Sequence, residues 1–243
     1  MVAVALICAD VGLRGRPLRT HEANAVKRRR ALTDAEIARF LTAAHEIDRE
    51  KAAAATKPLV PQLPMWKTLV ATGLRWGELC ALTWADLDAA GYLTVRPTTA
   101  KSKRGRVVPV SDQLLREIVA LRRLQFRCTG HLPGAADRIF LTQRGQPWRR
   151  DANPRSLKAL RAVLSRAGID EVDALGRCVD VHALRGTAAT KMLRRGVPVA
   201  HVSKILGHAD VRMTMRHYED LSGEDLRAAV IGSPLLQMER RAD

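Results

Sequence analysis

No stretch of this 243-residue chain holds the run of about 18 apolar residues that a membrane-spanning helix needs. The opening MVAVALICADVGL is apolar but short, with no basic residues ahead of it, so it lacks the form of a secretory signal peptide. Cys8, Cys80, Cys128 and Cys178 are scattered without a CxxC pair, which excludes a disulfide scaffold or zinc ribbon and fits buried thiols in a reducing compartment. GxxxxGK[ST], GxSxG and HExxH are all missing, which removes support for nucleotide hydrolysis, esterase chemistry and zinc proteolysis. The seven histidines do not pair with acidic residues at metal-ligand spacing, so no metal is expected. There is no repeat and no low-complexity tract. Negative charge is also in short supply: 25 Asp and Glu face 41 Lys and Arg, a formal net charge of +16. A field of that sign and size attracts polyanions, nucleic acid first. Apolar residues at 47% and charged residues at 27% are an ordinary globular balance, and the length allows one or two domains.

What is present reads as helices, a small sheet, then helices. Residues 1–30 offer a short apolar helix candidate, a Gly/Pro/Arg-rich stretch and the basic run Lys27 to Arg30, which is either a solvated linker or a phosphate-contacting strap. Thr33 and Glu36 form a capping box before Ile37, Phe40, Leu41, Ala44 and Ile47, predicting a helix to about residue 50. A second helix spans Leu63 to Thr72 with Gly73 as its C-terminal cap, which leaves Arg75 at a helix-to-helix corner with Glu78 placed to hold its guanidinium bidentately. Tyr92–Val95 and Arg106–Val110 read as strands joined by the cationic tip Lys101–Gly105, and Ile139–Leu141 as a short third strand. The plainer explanation of the tip is an edge hairpin protected by lysines. Ser111 or Asp112 caps the next helix, and Asn153-Pro154 starts another with Leu157, Leu160, Val163 and Leu164 inward. Leu184, Ala188 and Met192 face the core. A short helix stops at Gly207, and a final helix candidate begins at Ser222.

The stretch from His182 to Tyr218 organises the chemistry. His182 and Arg185 lie one helical turn apart and point from one face; His208 follows Gly207, and Tyr218 comes ten residues later. Fixed guanidinium groups stabilise the charge that a phosphodiester under attack spreads over its oxygens, and Arg75 and Arg185 are the candidate pair. A phenol, with a pKa near 10, needs help to act as a nucleophile, and a histidine moves protons near neutral pH. Of the two tyrosines, Tyr92 reads as a half-buried strand residue, which leaves Tyr218 as the nucleophile. Taken singly, each has a plainer explanation: Tyr218 as a core tyrosine, His182 as a helix-cap histidine, Arg75–Glu78 as a surface pair.

Taken together, ATGLRWGEL, KSKRGRVVP, HALR, LGH and Tyr218 in this order resemble the tyrosine recombinase (phage integrase) family over residues 31 to 230. The resemblance implies a mainly α fold with a small antiparallel β-sheet (α+β): residues 31–243 would be the catalytic domain and 1–30 a remnant of a core-binding domain plus basic linker. It makes Arg75, Lys101, His182, Arg185, His208 and Tyr218 catalytic and Glu78 supporting, with Lys103 the rival of Lys101. Tyr218 would form a 3′-phosphotyrosyl intermediate; Lys101 would protonate the leaving 5′ oxygen; His182 would serve in acid–base transfer; Arg75, Arg185 and His208 would hold the non-bridging oxygens. No metal, ATP or other cofactor is needed on this reading. Expected DNA contacts are Arg28, Arg29, Arg30, Lys103, Arg104, Arg106, Arg149, Arg150 and Arg155. The partner implied is double-stranded DNA, bound by a homo-oligomer (dimer or tetramer), with accessory DNA-bending proteins as candidates, no membrane, and a cytoplasmic, nucleoid-associated location. Two departures stand out. Gly186 occupies a position where the family commonly has histidine, and the preceding DNA-clamping domain is not in this sequence, which predicts weak, salt-sensitive binding in isolation. The alternatives are a DNA-binding remnant or regulator that no longer recombines, and a type IB topoisomerase-like enzyme.

Overall fold

Helix α1 (Asp34–Ala54) starts on the expected capping box: Thr33 Oγ1 accepts the Glu36 amide at 3.2 Å, and Glu36 Oε2 accepts the Thr33 amide at 2.8 Å. The computed structural model describes residues 28–100, 103–151 and 154–215. Ile37, Phe40 and Ala44 are buried along α1, while Leu41 and Ile47 pack at its margin. Helix α2 (Leu63–Thr72) is apolar nearly all round, which suits a central helix. It packs against α1, α4 (Asp112–Thr129) and α6 (Val181–Arg194), while α5 (Pro154–Arg166) lies on α1. Between α2 and α4 come α3 (Trp76–Ala81) and two strands, and α7 (Val199–Leu206) and the one-turn α8 (Arg212–Met215) follow α6.

Strands β1 (Tyr92–Val95) and β2 (Arg106–Pro109) pair antiparallel, with Tyr92 opposite Pro109 and Val95 opposite Arg106. The pleat sends Leu93, Val95 and Val108 into the core and leaves Tyr92 outside at 44% exposure, more open than the half-buried packing expected of it. The expected third strand is absent among the described residues. Ile139 and Phe140 are buried, yet this segment makes only single bridges, Thr83 to Arg138 and Leu141 to Pro147. The Ile139 carbonyl is taken by the Gln125 side-chain amide at 2.6 Å, and its amide by Leu82 O at 3.1 Å, so a side chain and a loop fill the places of strand neighbours.

The remaining caps follow the sequence. Ser111 accepts the Leu114 amide at 3.3 Å, which selects it over Asp112 as the N-cap of α4. Leu160, Val163 and Leu164 are buried on α5, whereas Leu157 is only partly so, and Asn153 lies outside the described residues. Leu184 and Ala188 are buried on α6. Met192 packs at the edge of a small second cluster of Ala189, Leu193, Val202 and Leu206 that ties α6 to α7. No helix of the described residues is long and apolar enough to cross a membrane. The helix expected from Ser222 lies outside them.

One glycine fixes the junction on which the site is built. Gly73 caps α2 at φ 64°, and a Cβ there would stand 2.5 Å from Leu206 Cδ2 and 3.1 Å from the Ala188 Cβ. Gly73→Ala therefore meets both a left-handed backbone and a close approach, and is expected to cost about 2–4 kcal/mol in urea unfolding. A loss under 0.5 kcal/mol would show that the α2–α6–α7 junction yields more easily than this packing implies.

Candidate active site

Arg75 is the N-cap residue of α3, and aromatic packing sets where it stands. The Trp66 and Trp76 rings lie 6.4 Å apart, Trp76 meets Trp148 edge-on at 5.3 Å, and Trp76 Nε1 donates to Arg149 O at 2.9 Å. Gly77 lets α3 rest on the next backbone, since a Cβ there would lie 2.8 Å from Arg150 O. The Arg75 side chain keeps 20% exposure above this base.

Beneath Arg75 lies Glu78, 2% exposed. Its Oε2 accepts the Arg75 amide at 3.0 Å and its Oε1 accepts Arg75 Nη1 at 2.9 Å. The bidentate partner expected to be Arg75 is instead Arg106, which donates Nη2 to Oε2 at 2.6 Å and Nη1 to Oε1 at 3.1 Å. Burial pushes the Glu78 carboxyl upward, but the hydrogen bonds and charge of Arg106, then the bonds from Arg75, outweigh it and hold the group below its usual range. Arg106 also donates Nε to Ile205 O at 2.7 Å. Its side chain is only 6% exposed, so this residue, expected to touch DNA, is committed inside the fold.

Arg185 reaches from α6 across the Gly73 junction. It donates Nη1 to Gly73 O at 2.7 Å and Nη2 to Leu206 O at 2.6 Å, while each of these nitrogens keeps a second N–H. One side chain thereby ties the corner before Arg75 to the helix end before His208. Burial first, and then the Arg75 charge, bring its pKa down to about 9, which leaves it cationic at neutral pH. His208 follows Gly207, the α7 cap at φ 68°, and its amide donates to Ser203 O at 3.0 Å. Its Nδ1 lies 2.7 Å from the Oγ1 of buried Thr214.

His182 sits one turn before Arg185 on the open side of α6, whose N-cap Asp180 accepts the Ala183 amide at 2.9 Å. Although the residue remains exposed, partial desolvation of its ring among its neighbours, followed by the charges of Arg29 and Arg185, depresses its pKa below 6.5. The imidazole is therefore neutral at pH 7. Because the folded pKa lies below the unfolded one, the unfolded chain takes up the proton first as pH falls; this histidine's stabilising contribution is complete above pH 6.5 and is lost below it. NMR titration of the folded protein is expected to place its midpoint under 6.5, and a midpoint above 6.5 would contradict the environment described.

His182, Arg185, Gly186, His208, Met213 and Arg29 line a cleft of about 150 Å³, the volume of about five waters or one small anion. His208 also borders a second cavity of about 530 Å³ that runs along Arg104–Val107 at the hairpin base. Arg75 acts electrostatically on both His182 and Arg185, and Glu78 acts on Arg185, so these three groups and Glu78 form one neighbourhood. Lys101 and Tyr218 lie outside the described residues. Among the described residues no group of three or more His, Cys, Asp or Glu is placed to hold a metal ion.

The expected DNA contacts divide. Arg28, Lys103, Arg104, Arg149, Arg150 and Arg155 are exposed, Lys103 at the hairpin tip with a left-handed φ of 54°. Arg149 pairs with Asp151 at 3.2 Å, and Arg150 donates to Thr99 O at 3.3 Å. Arg29 lines the cleft while bonding both Asp180 oxygens at 3.0 Å. Arg30 is turned inward, doubly bonded to Glu36 with its side chain 13% exposed. Residues 28–30 run beside Cys178, with Arg30 N donating to Cys178 O at 3.2 Å and Cys178 N to Arg28 O at 2.8 Å. Asp180, which the sequence reading missed, caps Ala183 three residues on and also binds Arg29, 151 positions away.

Scaffold and cleft together define a class: a mainly helical domain that gathers guanidinium and imidazole groups around a narrow cleft. The chain belongs to the phage integrase family, whose model matches residues 30–224. It is 32% identical over 152 residues to the tyrosine recombinase XerC of Chlorobaculum parvum, covering 61% of this chain and 42% of that protein. It is 32% identical over 170 residues to XerA of Pyrococcus furiosus (70% and 53%) and 30% identical over 179 residues to a putative integrase of Pseudomonas phage Pf1 (74% and 44%). The chain thus spans about half the length of these relatives. Among solved structures, a XerA recombinase superposes with a TM-score of 0.62 at 24% identity, over 88% of this chain and 64% of that one. The XerH recombinase bound to palindromic difH substrate gives 0.56 at 21% identity, over 83% and 52%. These likenesses carry the fold.

Proposed function

We propose that this chain is the catalytic domain of a site-specific DNA recombinase or integrase that cuts and rejoins strands through a 3′-phosphotyrosyl link. The observation that carries the reading is Arg185, whose bonds to Gly73 O and Leu206 O tie together the corner before Arg75, the HALR helix and the helix end before His208. The second N–H groups of Arg185 and the side chains of Arg75 and His208 receive the non-bridging oxygens of a scissile phosphate, and a preorganised cationic site stabilises the charge that builds there. The Tyr218 oxygen attacks phosphorus and the bond to the 5′ oxygen breaks. Neutral His182 accepts the phenolic proton, and Lys101, with Lys103 as rival, gives the leaving 5′ oxygen its proton. A 5′-hydroxyl from another strand reverses the step, so the ester bond is conserved and neither ATP nor metal enters the balance. Double-stranded DNA is the partner, engaged by several copies of the chain through the exposed basic residues around the hairpin tip.

The test is a pool of duplexes with randomised sequence around a nick, so that the short 5′-hydroxyl fragment diffuses away and traps the intermediate. A denaturation-resistant DNA adduct whose peptide maps to Tyr218 supports the reading. A chain that retards these duplexes yet leaves no adduct would overturn it in favour of a DNA-binding regulator.

A further inference from the structure

Two arginines compete for one buried carboxylate here, and they share it unequally. Arg106 occupies both Glu78 oxygens, at 2.6 and 3.1 Å, and spends its Nε on Ile205 O. Arg75 makes a single side-chain bond to Glu78, through Nη1 at 2.9 Å. Its remaining guanidinium N–H groups bond nothing else among the described residues, and its side chain is three times as exposed as that of Arg106, 20% against 6%. A carboxylate beside a lone arginine adopts the parallel two-bond arrangement, which uses the donors that recognise phosphate.

We infer that Arg106 is a positioning residue: by holding Glu78 bidentately it keeps that carboxylate from closing on Arg75, and so leaves the Arg75 donors facing the phosphate. The same guanidinium fixes the far wall. It bonds the Ile205 carbonyl and lies under Gly207, where a Cβ would stand 2.9 Å from its Nη1, so β2, the α3 corner and the turn before His208 keep one mutual position. This role explains an arginine at the hairpin base that is too buried to meet DNA itself. The inference rests on the recombinase reading above, since it assigns Arg75 a phosphate to face.

The experiment compares wild type, Arg106→Gln and the double variant Glu78→Gln/Arg106→Gln in single-turnover adduct formation at saturating DNA, with thermal unfolding of each. Arg106→Gln is expected to slow adduct formation about 100-fold with little change in DNA affinity, the cost of withdrawing one donor set from a charge-stabilising site. Glu78→Gln added to it removes the competing charge and is expected to recover about 10-fold of that loss, a gain that a purely structural role would not produce. A double variant no faster than Arg106→Gln, or an Arg106→Gln enzyme as fast as wild type, overturns the inference. A crystal structure of Arg106→Gln gives a readout independent of activity: Glu78 is expected to hold Arg75 by two bonds, and a retained single contact counts against the inference. A wild-type chain without any Tyr218 adduct sinks the functional reading instead, and leaves that crystal geometry to decide the competition for Glu78.

Discussion

Tyr218→Phe is expected to remove the covalent DNA adduct completely while leaving DNA affinity within about twofold of wild type. The substitution takes away one oxygen, the only atom of that side chain able to bond phosphorus, and it leaves the net charge of +16 untouched. Affinity for a duplex comes mainly from neutralised phosphates, so binding and its steep salt dependence persist. Tyr92 offers no substitute: it stands on the outer face of β1, opposite Pro109. The measurement is denaturing electrophoresis of the nicked-duplex reaction beside a mobility shift at several salt concentrations. A surviving adduct would transfer the nucleophile's role to another side chain, and lost binding would mean that the phenol helps to hold the domain together.

Arg185→Ala is expected to lose on two counts at once. Cleavage should fall by about 1,000-fold or more, because a guanidinium at a transferring phosphate contributes on that scale. Stability should fall by about 2–6 kcal/mol, because Gly73 O and Leu206 O, both in buried residues, each lose their donor and an unsatisfied buried carbonyl costs about 1–3 kcal/mol. Arg185→Lys separates the two effects. It keeps a positive charge, but an ammonium is a point donor without a planar fork, so it is expected to bond one carbonyl and to regain stability more than rate. Urea unfolding and single-turnover adduct formation read the two effects independently. An Arg185→Ala protein that unfolds like wild type would show that the Gly73–Arg185–Leu206 bridge contributes little to the fold.

Much of the architecture was legible because it is local. The Thr33–Glu36 box, the glycine caps at 73 and 207 and the apolar spacing of α1, α4 and α5 depend on neighbours within one or two helical turns. The pair His182 and Arg185 was legible for the same reason, since a helix puts residues three apart on one face. Ile139–Leu141 misled because a short apolar run carries no record of what will satisfy its backbone; here the answer is a glutamine side chain from α4.

Sequence alone determined the helical scaffold and the basic character of the chain, and it named the candidate reactive groups, because residue type, periodicity and net charge are properties of the chain before it folds. Only tertiary structure decided which arginine does what. Arg30, Arg104 and Arg106 look interchangeable in a basic sequence, yet Arg30 closes on Glu36, Arg104 stays in solvent, and Arg106 buries itself against Glu78. The reason is physical: a buried carboxylate must find compensating charge, and its position in space, 28 residues away along the chain, selects the arginine that supplies it.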